Sequence, residues 1–400
     1  MNFAYRGRNA NGEVVGGTIE AASQEEAVME LRQKGIFVTS CKAVTSQSRK
    51  RQLFQQAVNR HDLAVFCRQL ATMLQAGLPI ISALHVLHKQ VEKDLLRGSI
   101  GKILISLESG ESFYRALEKE TKIFPPLVIH TVEAGELAGS LDDNLERLSE
   151  HLEREHEIEE KVKSAMTYPA FVSVVAVLAV IFLLIFVLPT FETILNDMNV
   201  PLPWLTRSVL AISELFRYLW PLILLFVIGG IFGLKFLRQN PEGRYWFDRF
   251  LLKLPIFGSL IHKMGVARFC RTLGTLIKSG VPVLTALEIV RRVVGNVVLA
   301  EAIGMAETSV RDGESLATPL QASGILPPMV VEMISVGEET GALDELLTKI
   351  SVFYEREVNE AVSRLSSLIE PILIISLGGV VALVVISILL PMLSVFGGIS

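Results

Sequence analysis

Two long stretches of the chain contain no charged side chain, in contrast to the mixed apolar and charged positions elsewhere. The first covers residues 164–191 and the second covers residues 371–400. A helix needs about 20 predominantly apolar residues to cross a bilayer, and both stretches exceed that length. We therefore predict transmembrane helices at 169–189 and 371–395.

A third apolar segment, residues 218–234, holds seventeen residues between Arg217 and Lys235. This length is at the lower limit for a span, but both flanking side chains can reach the membrane interface. Tyr218 and Trp220 are suitable interfacial anchors. Because the segment is apolar on all sides, a span at 218–235 is favoured over the alternative, a buried core helix.

Lysine and arginine are distributed unequally around these segments. Only Arg207 and Arg217 lie between the first two spans, and no basic residue follows the third. Cytoplasmic flanks carry an excess of basic residues. The prediction therefore places residues 1–165 and 236–370 in the cytoplasm, with the loop 190–217 and the tail 396–400 outside. The basic residues of the cytoplasmic flanks are Arg154, Lys161, Lys163, Lys235, Arg238, Arg244, Arg249, Lys253, Arg356 and Arg364.

The chain contains one segment twice. Residues 66–87, FCRQLATMLQAGLPIISALHVL, align without gaps to residues 269–290, FCRTLGTLIKSGVPVLTALEIV. The register continues through GESFYRAL and GESLATPL, through GELAGSLD and GEETGALD, and through EREHE and EREVN. Each copy is thus a bundle followed by one span. Because both copies must start on the same side of the membrane, an extra crossing is needed between them, and 218–234 supplies it.

Within each copy the apolar spacing is helical. Gly77 and Pro79, with Gly280 and Pro282 at the equivalent positions, are typical of one helix ending and the next beginning. We predict about six helices per copy, the last of which continues into its span. The predicted bundles cover residues 61–168 and 236–370.

Residues 1–45 have a different pattern. Asn11 and Gly12 indicate a hairpin turn, and the capping-box sequence at 23–26 opens a helix. A strand at 36–44 follows, which gives a small ββαβ module and then a basic, polar linker at 46–60. The predicted fold class is therefore mainly α: a polytopic membrane protein with two repeated cytoplasmic bundles, three transmembrane helices and a small N-terminal α/β module.

Composition narrows the function classes. Half of the residues are hydrophobic and the mean hydropathy is +0.45, while the net charge of −4 argues against a nucleic-acid-binding protein. Cys41, Cys67 and Cys270 are too far apart in sequence for a disulfide framework or a Cys-x-x-Cys site, which fits a reducing compartment. The opening residues lack a signal-peptide core, so we expect insertion through internal spans.

The motifs of common enzymes are absent from the sequence. It contains no Gly-x-x-x-x-Gly-Lys-Ser/Thr phosphate loop, no Gly-x-Ser-x-Gly and no His-Glu-x-x-His. None of the three predicted spans carries an ionisable residue, which argues against a proton- or ion-coupled permease. His85 and His88 lie three apart, but the second copy retains neither, so a solvated helix face is favoured over a metal site. We predict that the protein is not an enzyme.

A second helical hairpin is predicted around Gly135 and Gly139, with Ser140 as the cap of the following helix. Carboxylates cluster at this hairpin. They would stabilise the helix ends through the helix dipole, and the alternative is that they hold Ca²⁺ or another hard cation. The candidate ligands are Glu133, Glu136 and Asp142.

The doubled FCRQLATMLQAGLPI and FCRTLGTLIKSGVPV motif, the doubled FPP and LPP hairpin motif, and the Tyr-Pro that opens the first span resemble the type II secretion F family of bacteria. The similarity covers about residues 60–398, and the opening module also resembles the N-terminal segment of the family. The resemblance implies structural roles for Arg68, Gly77, Pro79, Pro125, Gly135, Glu136, Gly139, Arg271, Gly280, Pro282, Pro327, Gly337, Glu338 and Gly341.

The resemblance also implies a function: a multi-pass platform in the bacterial inner membrane for type II secretion or type IV pilus assembly. Such a platform would receive a cytoplasmic hexameric ATPase and guide pilin or pseudopilin subunits out of the bilayer. The platform would act as a homo-oligomer together with other inner-membrane components. The resemblance implies no cofactor and no nucleic-acid partner. The sequence leaves pilus assembly and secretion open. An alternative from another class is a three-span signalling or transport protein with helical regulatory domains.

Overall fold

The computed structural model describes residues 2–8, 14–21, 23–33, 35–43, 57–197, 204–255 and 257–397. The N-terminal part contains an antiparallel sheet in the order β2-β1-β3, with one helix between β2 and β3. The predicted turn at Asn11 and most of the predicted linker lie outside the described residues. The elements are β1 Asn2–Arg8, β2 Val14–Glu20, α1 Gln24–Gln33 and β3 Phe37–Ala43.

Each copy of the repeat forms six helices, as predicted. The first copy comprises α2 Arg60–Gln75, α3 Ile80–Gln90, α4 Asp94–Glu108, α5 Phe113–Glu118, α6 Pro126–Ala138 and α7 Leu141–Phe182. The second comprises α11 Phe257–Lys278, α12 Val283–Val293, α13 Val297–Arg311, α14 Ala317–Ser323, α15 Pro328–Thr340 and α16 Leu343–Gly397. Equivalent residues fill the two cores: Phe66 and Phe269 are both fully buried, as are Cys67 and Cys270.

The first helix of each bundle ends in the same way. Gly77 and Gly280 have φ of +82° and +85°, a left-handed conformation that glycine adopts without a Cβ penalty. The N–H of Leu78 donates to the carbonyl of Met73 at 3.0 Å, and the N–H of Val281 donates to the carbonyl of Leu276 at 3.0 Å. These bonds satisfy carbonyls that a helix end would otherwise leave unpaired. The predicted helix ends at both glycines are confirmed.

Two helices of the described residues are long and apolar enough to cross a membrane. The first continues from α7 through a π-helical turn, Leu183–Val187, into α8 Leu188–Asp197. The second is α16. Their most apolar windows have mean hydropathies of 3.4 and 3.0. Both therefore run without interruption from a helical bundle into the predicted spans.

The region between these spans differs from the predicted loop at 190–217. Residues 188–197 are helical, and a 36-residue helix, α9 Trp204–Gln239, begins well before the predicted span at 218–235. Its early part is helical because Val209 and Leu210 are buried against Leu184 and Val384 of the two long helices. At 1.5 Å per residue α9 is roughly 54 Å long, which exceeds the hydrocarbon thickness. A further helix, α10 Pro241–Lys253, was not predicted as a separate element.

Candidate functional site: the seam between the bundles and the groove between the spans

Ion pairs join the first and last helices of each bundle at equivalent positions. Arg68 donates two hydrogen bonds to Glu153, at 2.8 and 2.7 Å. Arg271 makes the equivalent ion pair with Glu355 in the second copy. A planar guanidinium facing a carboxylate in this manner fixes both distance and orientation. The two arginines of the FCR motifs therefore hold the long helices α7 and α16 against their bundles.

A second pair of contacts is repeated two residues further along the long helices. Arg60 Nε lies 3.1 Å from Glu155 Oε2, and Lys263 Nζ lies 2.7 Å from Glu357 Oε2. Sequence reasoning noted the motifs EREHE and EREVN but did not assign partners to their third residues. The repeat alignment held the signal, because it pairs Arg60 with Lys263 and Glu155 with Glu357.

Polar contacts also connect the two bundles to each other, along a line that we call the seam. Asn144 Nδ2 donates to the carbonyl of Ser279 at 3.1 Å, and Arg147 Nη1 donates to the carbonyl of Lys278 at 2.7 Å. On α7 these residues recur every three or four positions, so they lie on one face that meets the end of α11. The seam residues are Asn144, Arg147, His151 and Glu155 on α7, and Arg268, Thr275, Lys278 and Ser279 on α11.

The centre of the seam is a buried charge cluster. Glu155, 7% exposed, accepts a hydrogen bond from Arg268 Nε at 2.9 Å in addition to its contact with Arg60. Burial alone would raise the pKa of Glu155, but His151, Arg268 and Arg60 outweigh it and lower the pKa below its ordinary value. Burial lowers the pKa of His151 to about 4, despite the nearby Glu155 carboxylate. His151 is therefore neutral at pH 7. At that pH the positive charges of Arg268 and Arg60 are what lower the pKa of Glu155.

The two glycines and the glutamate of the duplicated Gly-Glu-x-x-Gly hairpin each have a separate structural role. Gly135 lies inside α6, where an added Cβ would come within 3.1 Å of Leu141 Cα, so it allows close approach of α6 and α7. Glu136 accepts from the backbone N–H groups of Phe113 and Tyr114, at 2.8 and 3.0 Å. It therefore caps α5, whose first N–H groups have no partner within the helix. Gly139, with φ of +70°, ends α6.

The second copy repeats this arrangement. Glu338 accepts from the N–H of Leu316 at 2.9 Å, and Gly341 ends α15 with φ of +70°. A Cβ added at Gly337 would lie 3.0 Å from Leu343 Cα, so this glycine also allows two helices to approach closely. One part of the prediction was different: Ser140 stands at the N-cap of α7 but its side chain makes no capping hydrogen bond. The first glycine of the motif also lies inside a helix rather than at its end.

The structure places the three predicted cation ligands near one hairpin but gives them separate surroundings. Glu136 faces α5, and Glu133 Oε2 lies 2.9 Å from His130 Nδ1. Asp142 lies in the first turn of α7, where a carboxylate interacts favourably with the helix dipole. Within the described ranges, no three histidine, cysteine, aspartate or glutamate side chains are grouped to hold a metal ion.

The remaining predicted motif residues start helices or fill cores. Pro79 and Pro282 each stand immediately before the helix that follows the glycine turn, and Pro125 and Pro327 precede α6 and α15. Burial raises the pKa of Cys67 to about 12, so its thiol stays protonated and unreactive at neutral pH. Burial raises the pKa of the Cys270 thiol in the same way.

The two long helices enclose a groove within the predicted spans. They pack together next to the bundles, where Ile158 and Val162 meet Val358 and Val362. Further along, an apolar groove of 320 Å³ opens between them. Some of its lining side chains are small, whereas Gly378 and Gly379 are exposed and do not line it. The groove is lined by Ser173, Ala176, Val177, Val180, Ile181, Leu184, Leu373, Ser376, Leu377 and Val380.

Helix α9 packs across the end of this groove that is farther from the bundles, and it places two buried hydroxyl groups there. Thr206 Oγ1 donates to the carbonyl of Ser387 at 2.7 Å, and Ser213 Oγ donates to the carbonyl of Leu184. Leu184 belongs to the π-helical turn, where the backbone ladder is altered and a carbonyl can accept from outside the helix. Thr206 and Ser213 are each 3% exposed, so these bonds link α9 to both long helices in an apolar setting.

Comparison with known proteins agrees with this duplicated architecture. The family model described as type II secretion system (T2SS), protein F matches residues 66–189 and again residues 269–391. The model for the N-terminal domain of type II secretion system protein F matches residues 1–42. The chain belongs to the type II secretion system protein F family.

Curated members of this family resemble the chain over its whole length. A type IV pilus assembly protein PilC from Thermus thermophilus is 41% identical, covering 100% of this chain and 99% of the relative. PilC from Myxococcus xanthus is 35% identical, covering 100% and 96%. A type II secretion system protein F from Xanthomonas campestris is 36% identical, covering 98% and 97%.

Each family-model match begins at the phenylalanine of an FCR motif and ends beyond the centre of a span. One match therefore contains both partners of the Arg68–Glu153 pair, and the other contains both partners of the Arg271–Glu355 pair. The family unit is a bundle with its attached membrane helix rather than a soluble domain alone.

Proposed function

We propose that this protein is the inner-membrane platform of a type IV pilus or type II secretion machine. The observation that carries the proposal is the match of both bundle-plus-span units to the protein F family, together with full-length similarity to pilus and secretion assembly proteins. The platform is not an enzyme, because assembly energy comes from a partner, a cytoplasmic hexameric ATPase that docks below the membrane. It acts as a homo-oligomer with other inner-membrane assembly components.

The fold supports a coupling role. Helices α7 and α16 each run from a cytoplasmic bundle into the membrane without a break in helical structure. The Arg68–Glu153 and Arg271–Glu355 pairs attach both helices to their bundles, and the seam attaches the bundles to each other. A displacement that the ATPase imposes on the cytoplasmic side would therefore reach both spans together.

The proposed topology has three spans. Helix α9 provides the second crossing at 218–235, which keeps residues 1–165 and 236–370 in the cytoplasm and the C-terminus outside. Its length and its position between two spans of equal orientation support this arrangement. Protease treatment of inverted membrane vesicles should cut both bundles, and protection of residues 240–365 alone would contradict the topology.

The groove between the spans is the proposed path for a pilin or pseudopilin. Its lining is apolar and includes the small residues Ser173, Ala176 and Ser376, which allow another helix to approach closely. An incoming subunit carries an apolar helix of its own in this scheme. Helix α9 would act as the outer stop of the groove.

Site-directed crosslinking in the assembled machine tests the proposal. Val177→Cys, in the groove, labelled with a thiol-reactive benzophenone and irradiated, should form a covalent adduct with the pilin-like subunit, whereas Phe226→Cys, labelled in the same way on the exposed surface of α9, should not. The purified wild-type complex should also retain a secretion-type ATPase. A complex that instead retains a solute or a signalling partner, with no crosslink from Val177→Cys, would support the three-span signalling or transport alternative.

A further inference from the structure

Helix α10, Pro241–Lys253, connects α9 to the second bundle and is held there by its inner face. Asp248, 8% exposed, accepts a hydrogen bond from the N–H of Val297 at 2.9 Å and so caps α13. Gly243 lies against the end of α9, since an added Cβ would be 2.6 Å from the carbonyl oxygen of Leu237. Both contacts fix the rotation of α10 about its axis.

The outer face of α10 combines aromatic and basic side chains. Trp246 is 72% exposed and Phe250 is 59% exposed. They lie four residues apart, on the side of the helix opposite Asp248. Arg249 and Lys253 are also exposed, next to this pair. Large exposed aromatics between basic residues are typical of a helix that lies in a membrane interface.

The direction of α10 agrees with that position. Helix α11 runs antiparallel to α16, because Leu260 near its start packs with Val362 and Leu365, whereas Gly274 near its end contacts Leu347. The long helix α16 continues into a span and so defines the membrane normal. Helices α10 and α11 are bent by 110° relative to each other. Helix α10 therefore lies nearly across the direction of the span.

The depth of α10 agrees as well. Its last residue, Lys253, lies a short connection away from Leu260, which packs beside Leu365 of α16. The last ionisable residue of α16 is Glu370, and the charge-free stretch begins at Pro371. The C-terminal end of α10 thus stands about one or two helical turns from the level at which α16 enters the bilayer.

We propose that α10 lies on the inner surface of the bilayer and binds anionic phospholipids. Trp246 and Phe250 insert between the headgroups, while Arg249 and Lys253 contact lipid phosphates. The continuity of α10 with a proposed span, its direction, and the two basic side chains Arg249 and Lys253 against the single carboxylate Glu242 on this face all favour a lipid surface as its occupant. The inference rests on the topology under "Proposed function", but not on the identity of the exported subunit or of the ATPase.

Tryptophan fluorescence of the full chain tests this inference. With Trp204→Phe and Trp220→Phe, Trp246 is the only remaining tryptophan. The protein is placed in nanodiscs that contain anionic phospholipids with bromines high on their acyl chains. An indole buried about 5–10 Å into the headgroup boundary should lose roughly half of its emission relative to nanodiscs of unbrominated lipid.

A matched control carries its only tryptophan at position 105, as Ile105→Trp with all three native tryptophans replaced by Phe. Ile105 is 65% exposed on α4 of the first bundle, so the bromolipids should not quench this indole, and acrylamide should. Arg249→Glu with Lys253→Glu should reduce the quenching of Trp246 in anionic nanodiscs. Emission of Trp246 that acrylamide quenches and bromolipids leave unchanged would overturn the inference.

The two proposals fail in different measurements. If Trp246 is quenched by bromolipids but the complex retains neither ATPase nor pilin, the lipid-binding helix stands and the platform role is wrong. If the complex retains the ATPase and the pilin, but Trp246 emission is quenched by acrylamide and not by bromolipids, the platform role stands and the lipid-binding helix is wrong.

Discussion

Arg268 of the second bundle donates a hydrogen bond to Glu155 of the first at 2.9 Å, and this is a direct charged contact between the two copies of the repeat. The equivalent of Arg268 in the first copy is Val65, so duplication alone did not provide the contact. The seam is thus asymmetric, although the bundles that it joins are built alike. Its residues hold the copies in one relative orientation.

Replacement of Arg268 by alanine should loosen the seam. The carboxylate of Glu155 would keep Arg60 but lose its partner across the seam, in a site that is almost closed to water. Removal of one member of a buried ion pair is costly, and with one arginine remaining we expect a loss of about 2 kcal/mol. Thermal unfolding of the full chain in detergent and amide hydrogen exchange along α7 would measure the effect.

Arg292→Ala is the matched control. Arg292 pairs with Glu288 one turn away on α12 and is 60% exposed. An exposed pair of this type contributes under about 0.5 kcal/mol. Equal losses for Arg268→Ala and Arg292→Ala would mean that the seam contact does not hold the bundles together.

His151 should make the seam sensitive to acid. Its folded-state pKa of about 4 lies below its ordinary value of 6.5, so the unfolded chain binds the proton first as pH falls. Stability is therefore complete above about pH 6.5 and is lost as the pH falls towards 4, by about 3 kcal/mol in total. His151→Gln cannot titrate, so the difference in unfolding temperature between wild type and variant should change over this window. A constant difference from pH 7 to 4 would count against a buried neutral histidine.

The repeat explains what the sequence could predict. Helix ends at Gly77 and Gly280, six helices per copy and two long spans all follow from glycine geometry and from apolar patterns that occur twice. The seam could not be predicted, because Arg268 and Glu155 lie 113 residues apart and the contact is not duplicated. The helical start of α9 was missed for a similar reason: its apolar residues are buried only against two spans that are distant in sequence.

The hairpin glutamates should be more important for stability than their neighbours. Glu136→Ala would leave the part-buried N–H groups of Phe113 and Tyr114 without their acceptor, and should cost about 1–2 kcal/mol. Glu338→Ala should have a similar effect in the second bundle, through Leu316. Glu133→Ala, which removes only a half-exposed contact with His130, should change stability by less than about 0.5 kcal/mol. Chemical denaturation of the three variants gives the comparison.

The hydroxyl groups of α9 should stabilise the membrane part. Ser213→Ala removes the donor to the Leu184 carbonyl, and Thr206→Val removes the donor to the Ser387 carbonyl. Hydrogen bonds between membrane helices contribute about 0.6 kcal/mol on average and up to about 1.7. Ser208→Ala is the control, since the exposed Ser208 donates within its own helix, to the Trp204 carbonyl at 3.0 Å. Steric-trap or detergent unfolding should show Ser213→Ala and Thr206→Val to be less stable than Ser208→Ala, and equal stability of all three variants would remove the role assigned to these bonds.

Two glycine-to-alanine substitutions should have opposite effects on the first bundle. An added Cβ at Gly135 would lie 3.0 Å from Asn144 Nδ2 and 3.1 Å from Leu141 Cα, so α6 and α7 would have to move apart. Overpacking of this kind costs about 1–3 kcal/mol, and here it would also displace Asn144 from the Ser279 carbonyl across the seam. An added Cβ at Gly98, inside α4, meets no atom within 4 Å. Alanine there should stabilise the helix by about 0.5–1 kcal/mol, because it restricts the unfolded chain. Denaturant midpoints that shift in the same direction for both variants would contradict the close approach of α6 and α7 as the reason for glycine at 135.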